Sequence, residues 1–257
     1  MRFVVSRGAG RGESGMRSIG RRAKGAVEHN PSRDVAETAL SFFHAGPAPR
    51  GPGPRPGTLR DGLALAPGMK VGLFGGSFNP AHDGHAHVAE TALRRLGLDR
   101  VVWLVSPQNP LKDPRHSAPL AERMASARAV ARGPSMIVSD FESRAGLDRT
   151  VDTLRALVAR HPGVSFVWLM GSDNLAGFHR WRGWTDIMRL MPVAVIARPG
   201  SLLDSRTAPA AARFAPFRIP AEQAGLLANL EAPAWTYLTA PLDPRSSTAI
   251  RAARPRN

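Results

Sequence analysis

The chain has 257 residues, 43% of them hydrophobic, with no cysteine and a formal net charge of +15. That length is enough for one α/β domain of about 180–200 residues plus a tail, and the missing cysteine excludes disulfides, thiolate chemistry and any cysteine-ligated zinc site. No apolar run reaches the ~18 residues of a membrane span, and the short patch Phe3–Val5 is too brief for a signal-peptide core, so a cytoplasmic chain with no membrane partner is expected.

Only three of the 35 basic residues are lysines, Lys24, Lys70 and Lys112, a skew that a GC-rich genome explains as well as a basic function. Residues 1–60 contain 11 basic and 4 acidic side chains. The remaining moderate excess suits a catalytic domain that handles polyphosphates. Basic and aromatic residues are not interleaved, which argues against nucleic acid as the main partner.

Residues 1–68 read as a largely disordered basic tail. The stretch Gly46–Gly57 (GPAPRGPGPRPG) is rich in Pro, Gly and Arg and cannot build a core. A short amphipathic piece near Ser32–His44 has helical spacing. The domain is expected over 69–257. Met69–Gly76 (MKVGLFGG) is a β run ending in glycines, followed by a helix at about Gly84–Leu96. Val101–Val105 is a buried strand. Pro119–Arg132 has helical spacing, with Leu120, Met124, Ala127 and Val130 apolar. Met136–Ser139 is a strand, and Thr150–Arg160 an amphipathic helix ended by His161-Pro162-Gly163. Ser165–Met170 and Pro192–Ala197 are further buried strands, with a helix at Trp184–Leu190 between them. Residues 200–230 show no clear pattern. Trp235–Leu238 is a late strand, and Ser246–Ala253 begins like a helix. The alternation predicts a Rossmann-like, doubly wound α/β fold, a parallel sheet with right-handed crossovers and helices on both faces. Ligands of such sheets sit beyond the carboxyl ends of the strands.

The segment GGSFNPAHDGH, Gly75 to His85, lies in such a place. Gly75 and Gly76 let the backbone turn sharply and come close to a ligand. The next helix offers free N–H groups and a partial positive charge, an anion site. His82 and His85, three apart, can face the same side and donate to phosphoryl oxygens. A metal site is the rival reading of paired histidines. Neither the Walker pattern nor GxGxxG is present, which argues against a P-loop or a dinucleotide-binding dehydrogenase. Late in the chain, Ser246-Ser247-Thr248-Ala249-Ile250-Arg251 offers an N-cap serine, hydroxyls and an arginine one turn inside a helix, all able to hold phosphate.

Taken whole, GGSFNPAHDGH resembles the signature of nucleotidylyltransferases with an HxGH-type site, and SSTAIR is similar to their closing ISSTxIR, with Arg245 in place of the usual isoleucine. Three further stretches resemble bacterial nicotinate-nucleotide adenylyltransferases. Ser106–Lys112 (SPQNPLK) is similar to a PxxxPxK loop, Gly171–Trp181 (GSDNLAGFHRW) to a GxDxxxxFxxW block, and Glu142–Leu154 to ExxRxGxSYTxDTL, with Asp148-Arg149 replacing Ser-Tyr. The resemblance covers about 69–253 and implies transfer of the adenylyl group of ATP to nicotinate mononucleotide in NAD biosynthesis. It implies catalytic roles for His82, His85 and Arg251, and ATP contacts from Gly75, Gly76, Ser77, Phe78, Ser246, Ser247 and Thr248. Lys112, Thr150, Asp173 and Trp181 would bind the mononucleotide, Asp173 through ribose hydroxyls and Trp181 by stacking on the pyridine ring. Mg²⁺ would arrive with ATP, held by few protein ligands, and no protein metal site is expected. Spacing alone leaves the acid and the amide of the pyridine ring open; the resemblance favours the acid.

Overall fold

The computed structural model describes residues 62–107, 117–198 and 207–239. The strand-like runs of the sequence form β1 (Lys70–Gly76), β2 (Arg100–Val105), β3 (Met136–Ser139), β4 (Ser165–Gly171), β5 (Val193–Ile196), β6 (Arg218–Ile219) and β7 (Trp235–Leu238). They join in one sheet of order β3-β2-β1-β4-β5-β7-β6, and every pairing is parallel. The helices are α1 (Asp83–Arg95), α2 (Leu120–Val130), α3 (Phe141–Ala145), α4 (Thr150–Arg160), α5 (Ser172–Phe178), α6 (Trp184–Leu190) and α7 (Pro209–Arg213). The 200–230 stretch, unreadable in sequence, holds α7, β6 and the 3-10 segments Ala215–Phe217 and Ala221–Asn229.

A parallel sheet covered on both faces needs apolar residues at both parities of each strand, and that is what the strands supply. Along β4, Phe166, Trp168 and Met170 enter one core, while Val167 and Leu169 enter the other. In β2, Val102 and Leu104 go one way, Val101, Trp103 and Val105 the other. Leu154 and Leu157 of α4, Phe178 of α5 and Ile187 of α6 fill the first layer. Val88, Ala89 and Ala92 of α1, Ala127 of α2 and Leu227 fill the second. The Rossmann-like reading therefore holds, with a layer of helices on each side.

The first core also takes in Leu63, Leu65 and Ala66, ahead of Met69. Leu63 is fully buried, and the Gly68 amide donates to the Gly163 carbonyl. Packing thus begins several residues before the expected boundary, as these apolar side chains join the first core.

Strand order reverses direction between β1 and β4, the topological switch point of the sheet. Parallel pairing brings the carboxyl ends of β1, β2, β4 and β5 level, since Gly76 pairs with Val105 and Gly171 with Ile196. The segments that leave those ends share one crevice edge.

Candidate active site

Gly75 and Gly76 are still in the strand, paired with Leu104 and Val105; the turn falls just after them. Their lack of a side chain serves packing. A Cβ on Gly75 would overlap the Trp168 indole, and one on Gly76 would lie 3.0 Å from the Phe78 ring. Phe78 takes the left-handed conformation, φ 45°, costly for a bulky residue, and so turns its ring inward. That ring is buried, 5.1 Å from both His85 and Trp103 and 5.5 Å from Phe74. The Phe78 ring thus packs against His85 and Trp103.

The chain then enters α1 through a reciprocal cap. The His82 Nδ1 accepts from the Gly84 amide at 3.1 Å, and the His85 Nδ1 accepts from the His82 amide at 3.2 Å. Histidines thereby do what serine and glutamate do in the common capping box. With its Nδ1 accepting, a neutral His85 imidazole carries its proton on Nε2. The rings lie 3.9 Å apart. Burial, the adjacent His82 and the Arg198 guanidinium push the His85 pKa down from 6.5 to about 3. At neutral pH His85 is therefore an uncharged donor through Nε2, at a helix N-terminus where anions are favoured.

Asp173 lies in the first turn of α5, directly after β4. Its carboxylate accepts from Arg198 Nη1 at 3.1 Å, and the Arg198 backbone N–H donates to the Ser172 hydroxyl at 2.8 Å. Gly171 is confined between these two side chains: a Cβ there would lie 2.7 Å from Arg198 Cδ and would collide with Asp173 Oδ1. The Arg198 side chain is 17% exposed and that of Asp173 48%, so the pair is open to solvent at the carboxylate. Sequence reading missed Arg198. It stands two residues past the end of β5, and the rule that post-strand loops carry chemistry would have found it.

Trp181 is partly buried against the first core, edge-on to Phe178 at 5.4 Å and Trp168 at 6.4 Å. Two residues on, a Cβ on Gly183 would touch Val151 Cγ1 at 3.0 Å. The Trp181–Gly183 turn is thus set against the start of α4, where Thr150 is the first residue. The Arg155 to Asp186 ion pair, 2.7 Å, ties α4 to α6 in the same region. Around the switch point, His85 lies within electrostatic reach of His82 and Arg198, and Arg198 holds Asp173; Gly183, two residues after Trp181, meets Val151, the residue after Thr150. Ser77 follows β1 directly. Lys112, Ser246, Ser247, Thr248 and Arg251 lie outside the described residues.

Comparison with known proteins follows this geometry. Residues 73–253 match the cytidylyltransferase-like family. The chain is 66% identical over 183 residues to a probable nicotinate-nucleotide adenylyltransferase of Caulobacter sp., covering 71% of this chain and 97% of the relative. It is 53% identical over 186 residues to a protein of the same description from Rhizobium meliloti, covering 72% and 99%. Among solved structures it resembles Plasmodium falciparum nicotinic acid mononucleotide adenylyltransferase complexed with NaAD, with a TM-score of 0.55 and 15% identity over 72% of this chain and 83% of that one. At that identity the structural likeness speaks to the fold.

Proposed function

The chain belongs to the nicotinate-nucleotide adenylyltransferases of the cytidylyltransferase-like family, and from that premise we propose that it transfers the adenylyl group of ATP to nicotinate mononucleotide, giving nicotinate adenine dinucleotide and pyrophosphate in NAD biosynthesis. The observation that carries this reading is the pair of imidazoles locked into the α1 cap at the switch point. An oxygen of the mononucleotide phosphate attacks the α-phosphorus of ATP, and the bond from that phosphorus to the bridging oxygen breaks as pyrophosphate leaves. The attacking group is already an anion, so no side-chain nucleophile or base is required. The protein's part is positioning and stabilisation of charge.

In this scheme His85 donates from Nε2 to the α-phosphate. His82 and Arg251 take the β- and γ-phosphates, and Ser246, Ser247 and Thr248 add hydroxyl and amide donors. Gly75, Gly76, Ser77 and Phe78 shape the backbone beneath the nucleotide. Lys112 faces the acceptor phosphate, Asp173 accepts from ribose hydroxyls with its carboxylate aimed by Arg198, and Trp181 stacks on the pyridine ring near Thr150. Mg²⁺ would arrive with ATP as the MgATP substrate and would supply charge neutralisation to its phosphates. Both substrates are highly charged metabolites, which suits a cytoplasmic enzyme.

The test is pyrophosphate release from ATP with nicotinate mononucleotide or nicotinamide mononucleotide as acceptor. The acid should give the higher kcat/KM, by about tenfold or more, on the scale of one unpaired polar contact. Equal or better use of the amide would contradict the acceptor assignment, and no release with either would contradict the activity.

A further inference from the structure

Arg123 belongs to none of the groups above, yet it is 3% exposed. It sits on α2, and its guanidinium touches three separate segments at the ligand edge of the sheet. Nε donates to the Ala118 carbonyl at 2.9 Å. Nη1 donates to the Ser77 carbonyl at 3.0 Å and to the Ser106 carbonyl at 2.6 Å. Nη2 donates to the Pro107 carbonyl. Four of its five N–H donors are thus spent on main-chain oxygens. Two of those oxygens follow β2, one follows β1, and one precedes α2.

Helix α2 and the residue ahead of its cap hold the loop between β1 and α1 twice more. Ser126 Oγ accepts from the Ala81 amide at 2.8 Å, and Asn79 Oδ1 accepts from the Ala118 amide at 3.3 Å. The loop so held, 77–81, runs straight into the His82 cap. A planar fork that reaches carbonyls of three segments at once is a property of guanidinium; an ammonium is a point donor on a flexible stem.

We propose that Arg123 is a positioning residue for adenylyl transfer, a buried brace that fixes the loops after β1 and β2 against α2 and so sets where the His82 and His85 imidazoles stand. The assignment rests on the functional reading above and deepens it. A displacement of about 1 Å in such groups costs on the order of 10²-fold in rate, whereas ground-state binding, spread over many contacts, changes less.

The experiment compares Arg123→Lys with Leu227→Ala, a core variant in the Ala221–Asn229 segment chosen to lower the melting temperature comparably. Each is assayed well below its own transition with ATP and nicotinate mononucleotide. Amide exchange at Ala81 and His82 is measured in parallel. Arg123→Lys should lose about 10²-fold in kcat with KM for ATP within about threefold, and exchange at Ala81 and His82 should speed up about tenfold relative to Leu227→Ala. Kinetics and exchange both matching Leu227→Ala would overturn the proposal, as would faster exchange with normal kcat, or lost kcat with unchanged exchange. A lysine variant that does not fold would assign Arg123 to stability alone and contradict a positioning role. If the wild-type enzyme were inert with these substrates, the functional reading would fall, and the exchange comparison would still decide whether the brace exists.

Discussion

His85 shows how one side chain serves fold and chemistry through different atoms. Its Nδ1 closes the α1 cap by accepting from the His82 amide, which leaves Nε2 as the donor of the neutral ring. The depressed pKa, about 3, keeps that donor uncharged until the triphosphate supplies negative charge. Replacing His85 with alanine removes a preorganised donor, and such losses cost about 10²–10³ in turnover. His85→Ala should therefore fold and lose at least about 10²-fold in kcat for pyrophosphate release; a folded variant with near-normal turnover would refute its role. The histidine pair was legible in the sequence because two imidazoles three apart after a strand and glycines form a specific string. The two-way cap was not, since serine, threonine and acidic residues are the usual cap signals. Arg123 was missed although its spacing is a clue. It lies three residues after Leu120 and four before Ala127, on the face otherwise marked apolar.

At the scale of elements, every strand but the two-residue β6, and the helices α1, α2, α4 and α6, were readable from apolar runs and helical spacing. The helices α3 and α5, five and seven residues long, were not: each begins within a residue or two of a strand's end, where the sequence reads as a loop. The Ala221–Asn229 segment is 3-10, whose three-residue period has no clear apolar signature. The short helix α3 carries Glu142, buried against α4. Its Oε1 lies 3.0 Å from the Thr153 hydroxyl, and that same hydroxyl is 3.2 Å from the Arg149 carbonyl. The Thr153 hydroxyl thus donates to the Glu142 carboxyl oxygen, a bond that favours the charged carboxylate. Burial pushes its pKa up from 4.5 to about 7, against the opposing effect of the Thr153 hydrogen bond. A carboxyl with a raised native pKa stabilises the fold fully below its unfolded pKa and ceases to as pH rises through the native value. Glu142→Gln, neutral throughout, should gain stability relative to the wild type between pH 4.5 and 7, by up to about 3 kcal/mol. Denaturant titrations at pH 5 and pH 8 check this. A stability difference that does not change between those pH values would contradict the buried-acid assignment.

For the whole molecule, the sheet is the device that gathers distant sequence. Seven parallel strands with β1 beside β4 put His85, Asp173 and Arg198 along one edge although more than a hundred residues separate the first from the last. The proposed function requires Ser246–Arg251 to supply phosphate contacts as well. The most direct test is a crystal structure of the full chain with a non-hydrolysable ATP analogue. The prediction is that Nε2 of His82, Nε2 of His85 and the Arg251 guanidinium each lie about 3 Å from phosphate oxygens of one bound triphosphate. A triphosphate bound elsewhere, or imidazoles turned away from it with Arg251 remote, would contradict the account.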